Sequence, residues 1–190
     1  MPCGGRESAY RAFKDAVYKG DGSTLIILLV DSEALLPAEH TSADSEPSDE
    51  IERRERRNAE DRRDHLFKRD RWDLKGIDVE NIHLMVTCME TWIVADPAAL
   101  SEFYKQGFRP GKLPQRQNLE EEPKQDLYAK LAEATKDTIK KAYTEKNNSK
   151  IKHASKLLAM IDPEKVAVRC PRFKTFTAWL DRQIRDARLH

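Results

Sequence analysis

The chain has 190 residues, 35% of them charged, with a formal net charge of +1. That length can bury a real core, and the balanced charge excludes a protein that holds nucleic acid or a membrane by bulk electrostatics, so any basic footprint is local. The three cysteines, Cys3, Cys88 and Cys170, lie far apart, which argues against a disulfide scaffold or paired-thiolate zinc site and for a reduced, cytoplasmic protein; no apolar run approaches a membrane span.

The first predicted helix follows directly on Met1-Pro2-Cys3-Gly4-Gly5-Arg6. Ala9, Phe13, Ala16 and Val17 share one face of it, and Lys19-Gly20 close it. A Gly-Gly-Arg at a helix N-terminus can hold an anion through free backbone N–H groups and the Arg6 guanidinium. The plainer alternative is a turn with a solvated arginine.

Six consecutive apolar residues, Leu25 to Val30, then stop at Asp31, and Glu33 stands two positions beyond. The run predicts a short strand, Thr24 to Val30, buried on both faces, of the kind found in parallel sheets flanked by helices. Ligands of such sheets sit outside the carboxyl ends of the strands, where Asp31 and Glu33 are placed.

Residues 38–64 change character: Ser, Asp, Glu and Pro first, then IERRERRNAEDRRD with five acids and six arginines. With almost no apolar residues, this stretch predicts a charged, mobile insertion or a solvated helix held by i,i+4 ion pairs. Phe67 and Trp72 restore packing anchors. A second strand is expected over Ile82 to Cys88, with Met89 to Ala95 extending from it. Asp96-Pro97 predicts an N-cap and first helical residue, for a helix ending near Gly107.

A proline-rich loop, Arg109 to Pro123, precedes a helix from Lys124 to about Glu133, with Leu127, Tyr128 and Leu131 on one side. Residues 136–156 carry seven lysines and are the most basic part of the chain. They read as a solvated face, or as a track for phosphates with Lys140 and Lys141 as candidate contacts. Asp162-Pro163 repeats the capping pattern for a short turn, Val166 to Val168 suggest a small strand or extended link, and Cys170-Pro171 opens a last amphipathic helix. Phe173, Phe176, Trp179, Leu180 and Ile184 fall on its buried side. The whole chain, 1–190, reads as one domain.

Asp31 and Glu33 form the strongest chemical constellation. If the strand runs through both, positions i and i+2 face the same way. Two hard oxygen ligands suit Mg2+ or Mn2+ better than Zn2+, and such ions commonly join carboxylates to substrate phosphates, which predicts phosphoryl-transfer or phosphodiester-cleaving chemistry. The alternative is structural, with Asp31 capping a turn and Glu33 solvated. Glu90 is the second candidate: an acid inside so apolar a stretch needs a partner. It is either a third metal carboxylate at the end of a neighbouring strand or the partner of an arginine such as Arg6 or Arg69. No nucleophile elbow or phosphate-binding Walker loop is present.

The stretches CGGRESAYRAFK, LLVDSE, RDRW, HLMVTCMETWIVADPAAL and FYKQGF, followed by EATKDTIKKAY and LLAMIDPEKVAVRCPRF, resemble the bacterial family called domain of unknown function 4276. The resemblance covers essentially the whole chain outside the charged insertion. That family is similar to Toprim domains, so the resemblance implies an α/β fold, a mostly parallel sheet flanked by helices in a Toprim-like (Rossmann-like) three-layer arrangement. Toprim sites carry a glutamate after a first strand and an acid pair spaced by one residue after a later strand. Asp31 and Glu33 match the pair, with Glu in the second place, and Glu90 matches a glutamate that related families carry inside an apolar-aromatic segment.

The resemblance therefore implies Asp31, Glu33 and Glu90 as catalytic and Mg2+- or Mn2+-binding residues, while Arg6, Lys140 and Lys141 stand as candidate phosphate contacts on their own positions. It also implies a nuclease-type effector acting on nucleic acid, in phage defence and with an ABC-type ATPase partner. Members usually have a strand and a glycine-rich turn bearing the first glutamate before CGGR, so the resemblance predicts an N-terminally truncated form. A non-catalytic binding module, contacting an ATPase or nucleic acid, is the competing expectation.

Overall fold

The structure, a computed structural model, describes residues 5–40, 48–144 and 149–188. Cys3 and Gly4, residues 41–47 of the charged segment and residues 145–148 of the lysine-rich stretch lie outside the described residues. The described residues form a mixed α/β structure in which a single two-stranded parallel sheet is flanked by helices. They fall into two compact units, one of Met1–Ser32 with Pro37–Leu84 and one of Glu33–Leu36 with Met85–His190.

The first unit contains α1 (Arg6–Lys19), β1 (Leu28–Asp31) and α2 (Ser48–Asp70), followed by β2 (Ile82–Met85). Parallel strands need a long crossover, and α2 supplies it. β1 is shorter than the apolar run predicts, and it is not buried on both faces. Leu28 and Val30 are buried while Leu29 and Asp31 are half-buried, the period-two pattern of a strand with one covered face. Leu25 lies before the strand and is exposed. α1 packs on β1 with Phe13 as its one buried side chain, and Gly20 closes it by donating its N–H to the Ala16 carbonyl at 2.8 Å.

The charged segment is helical from Ser48 on. The expected i,i+4 pairs are present, Arg53 with Asp49 at 2.7 Å and Arg56 with Glu60 at 3.5 Å. Its composition predicts no buried face, yet Asn58, Ala59, Arg62 and Leu66 make a narrow one. Hydrogen bonds make this affordable: the Asn58 amide exchanges two bonds of 3.0 Å with the His40 backbone, and the Arg62 guanidinium donates to Ile82 O at 2.6 Å and to Glu39 at 2.9 Å.

Two short motifs meet beside this helix. Arg6 pairs with Asp70, the Trp72 indole N–H donates to Glu7 Oε2 at 3.0 Å, and Tyr10 stacks on Trp72 at 4.6 Å. Trp72 is thus the anchor the sequence predicts, whereas Phe67 is exposed.

The second unit is built around α3 (Met89–Ala95), in which every residue from Glu90 to Ala95 is buried. The sequence predicts an extension of the strand here. An apolar run reads the same for a buried strand and a buried helix, and β2 in fact stops at Met85, leaving Cys88 as the N-cap of a helix. α4 (Pro97–Tyr104), α5 (Lys124–Thr135), α6 (Ser149–Leu158) and α7 (Pro163–Arg169) pack on α3.

Asp96 caps α4 as predicted, its Oδ1 accepting from Ala98 N at 3.1 Å and Ala99 N at 3.2 Å. Its Oδ2 accepts from Asp162 N at 3.0 Å, and Asp162 in turn caps α7. Val166 to Val168 are therefore helical, not an extended link. The last helix, α8 (Pro171–Ala187), buries Phe173 and Trp179, and Trp92 meets Phe173 edge-on at 4.8 Å; Ile184, expected on the buried side, is exposed. Among the described residues no helix is long and apolar enough to cross a membrane.

Candidate functional site

Asp31 is the last residue of β1, half-buried, in the first unit. The strand does not continue through Glu33. The Glu33 backbone has φ 62°, the left-handed region that non-glycine residues seldom enter. The two acids therefore do not share one strand face. Glu33 belongs to the second unit, where its N–H donates to Thr87 O at 2.9 Å.

The Glu33 side chain, about one-fifth exposed at 20%, accepts a 2.6 Å hydrogen bond through Oε2 from Lys124 Nζ. Lys124 opens α5. One helical turn on, Tyr128 lies on the same face; the Lys124 ammonium stands 5.8 Å from the Tyr128 ring centre and the Lys150 ammonium 5.9 Å from it. The Tyr128 hydroxyl is buried and makes no hydrogen bond to a described group. It lies near Glu90, and burial first, then the Glu90 charge, push its ionisation well above the ordinary phenol range.

Glu90, in the first turn of α3, is fully enclosed. Its Oε1 accepts from the Tyr143 hydroxyl at 2.7 Å, and its Oε2 has no hydrogen-bond partner among the described residues. Tyr143 is equally enclosed and is fixed at its backbone by Thr135 Oγ1 at 2.8 Å. Burial and then Glu90 raise its ionisation too. The aromatic chain continues from Tyr143 to His153 (ring centres 6.4 Å apart), and Tyr104 Oη lies 3.1 Å from His153 Nδ1. Burial depresses His153, as do the Lys140 and Lys156 charges.

Glu33 and Glu90 are thus linked through Lys124 and Tyr128, while Asp31 stands in the other unit. Glu90 pairs with a tyrosine. The arginines weighed as its partner are engaged elsewhere, both Arg6 and Arg69 with Asp70. The Arg6 guanidinium also lies 5.1 Å from the Trp72 ring, and its Nε and Nη1 are buried without a hydrogen bond to a described group. Lys140 sits 5.0 Å from the Phe103 ring, and Lys141 is exposed with φ 62°.

Among the described residues no group of three or more His, Cys, Asp or Glu side chains is placed to hold a metal ion. Sequence reasoning overlooks Lys124 and Tyr143 as neighbours of the acids, and Lys150 and His153 as neighbours of the tyrosines. Only the Lys124–Tyr128 spacing has a local signature. The Tyr143–Glu90 and Lys124–Glu33 bonds join residues 53 and 91 positions apart.

No curated protein and no solved structure matches the chain. A family model does match, over residues 8–181. That span takes in both acids of LLVDSE, the METWIVADP segment and the second unit as far as Asp181 in α8, so the chain belongs to the family described as domain of unknown function (DUF4276).

Proposed function

We propose that the protein is a Mg2+-dependent, nuclease-type effector with a Toprim-like core, acting in the cytoplasm on nucleic-acid phosphodiesters. The observation that carries this reading is Glu33. Just past the carboxyl end of β1, where ligands of parallel sheets bind, a left-handed backbone presents a part-exposed carboxylate that already holds one cation, the Lys124 ammonium, at 2.6 Å. Residues in sparsely populated backbone conformations cluster at functional sites.

Hard carboxylate oxygens suit Mg2+, which is commonly held by one or two carboxylates together with substrate phosphates. The donors fit that arrangement; they do not fit a closed cage of three acids. Glu33 would hold the ion, which supplies charge neutralisation at the phosphate. Glu90 is sealed by Tyr143 and lies close to Tyr128, so its part is to set the charge and position of the tyrosines behind Lys124. An ABC-type ATPase partner and a role in phage defence belong to the same proposal.

Glu33→Gln is expected to abolish Mg2+-dependent cleavage of labelled oligonucleotides while leaving the far-UV circular dichroism unchanged. Undiminished cleavage in this variant rules the reading out. The Glu33–Lys124 bond also favours a second reading, a non-catalytic binding module in which that pair is purely structural. No thermal shift with Mg2+ or Mn2+, together with retained oligonucleotide binding and no cleavage, would select it.

A further inference from the structure

We infer that the outer face of α1 binds a single strand of nucleic acid, with a base stacked on Tyr18 and a phosphate on Lys14. The inference deepens the proposed function and rests on its choice of nucleic acid as the target, but it uses none of the proposed metal ligands. Tyr10, Lys14 and Tyr18 recur every four residues and so share one face of the helix. The Lys14 ammonium lies 5.4 Å from the Tyr10 ring centre and 5.7 Å from that of Tyr18. From Tyr10 the ladder continues inward to Trp72, stacked at 4.6 Å with the two rings 3° from parallel, and to the Arg6 guanidinium 5.1 Å from the Trp72 ring.

The inner end of this ladder is fixed. Trp72 is buried, its indole N–H is held by Glu7, and Tyr10 Oη donates to Asp73 O at 2.9 Å. The outer end is open, with Tyr18 67% exposed. A lone exposed apolar side chain is ordinary. A ring that ends a braced series of rings and cations is not, because the ammonium beside it is already placed and little ordering is left to binding. Cation–π pairs of energetic weight occur roughly once per 70–80 residues, whereas Arg6–Trp72, Lys14–Tyr10 and Lys14–Tyr18 all involve this one helix.

The charges around Tyr18 select the occupant. α1 carries Arg6, Arg11, Lys14 and Lys19 against Glu7 and Asp15. Both acids are engaged, Glu7 with Arg11 at 2.9 Å and Asp15 with Lys19 at 3.7 Å. Lys14 turns its charge to the two rings instead. An open ring beside an ammonium suits a ligand that alternates flat π-systems with anions, which is the repeat of a single nucleic-acid strand. A duplex keeps its base faces stacked inside and has none to offer Tyr18. An acidic peptide offers the anions without the bases.

The test is fluorescence anisotropy with labelled single strands of DNA and RNA in EDTA, which stops metal-dependent cleavage and leaves α1 as it is. Tyr18→Ala, at a mostly exposed position, is expected to keep the wild-type thermal melt and to weaken binding about five-fold or more, whereas Tyr18→Phe keeps the affinity. Lys14→Gln should reduce the log–log salt slope by about 0.7. A strand of equal length built of abasic sites is expected to bind the wild type no better than the normal strand binds Tyr18→Ala. Wild-type affinity in Tyr18→Ala overturns the inference, as do equal binding of the abasic and normal strands and an absence of binding to both DNA and RNA. Competition by poly-glutamate as strong as that by an unlabelled strand overturns it too. Weakened binding in Tyr18→Ala, without any Mg2+-dependent cleavage by the wild type, sustains the α1 surface and removes the catalytic reading alone. Cleavage by a wild type whose Tyr18→Ala variant binds normally does the reverse.

Discussion

Glu90 keeps a carboxylate where water does not reach, with one oxygen bonded to Tyr143 and the other without a described partner. Such a group is costly to bury and stabilises little by itself, and the proposed function gives it a part behind Lys124 and Tyr128. His83 shows the same physics in a group whose consequence is measurable. Burial, and then the charge of Arg62, depress its imidazole to about 3. The folded protein therefore keeps His83 neutral at pH values where the unfolded chain takes up a proton. Stability is full above the ordinary histidine value and is lost as the pH falls towards the depressed one. The expected slope from this residue is about 1 kcal/mol per pH unit below roughly pH 6. Urea midpoints followed from neutral to mildly acidic pH should fall more steeply for the wild type than for His83→Gln, and parallel curves would assign the acid sensitivity to other groups.

At the level of elements, the parts legible in the sequence are those whose cause is local. Asp96-Pro97 announces α4 because capping and the fixed proline backbone act within one helical turn, while Asp162-Pro163 marks the start of α7 but not its extent, since the residues after it read as extended. α3 is not legible as a helix, since METWIVA is apolar all round and carries no period. Nor is the narrow buried line of α2, which depends on hydrogen bonds to His40, Glu39 and Ile82. The candidate site divides in the same way. An acid at the end of an apolar run is visible in one dimension, whereas Tyr143 beneath Glu90 and Lys124 on Glu33 are products of tertiary packing.

Asp96 joins two of these elements through one carboxylate, which caps α4 and also receives the Asp162 N–H and, at 3.3 Å, the Lys165 ammonium. Asp96→Ala should cost about 2–3 kcal/mol in urea unfolding, more than the roughly 1 kcal/mol of an isolated cap such as Asp162→Ala. Equal losses in the two variants would show that the link to α7 contributes nothing.

Across the whole molecule, the second unit is assembled from two separated stretches, Glu33–Leu36 and Met85–His190. A fragment beginning at Met85 omits the Glu33 carboxylate on Lys124 and the Glu33 N–H on Thr87. That fragment, followed by the fluorescence of Trp92 and Trp179, is expected to unfold at lower urea than the same tryptophans report in a full-length Trp72→Phe chain. The difference should be about 1 kcal/mol, and coincident transitions would mean that residues 33–36 contribute no stability. The same threading bears on inheritance. Residues 37–84 lie in sequence between the two pieces of this unit and belong with Met1–Ser32 to the first, so exchanging them alone divides the first unit. A single crossover anywhere in that stretch passes on Lys124 with another lineage's carboxylate, and ties the histories of Glu33 and α5 together although 91 positions separate the bonded pair.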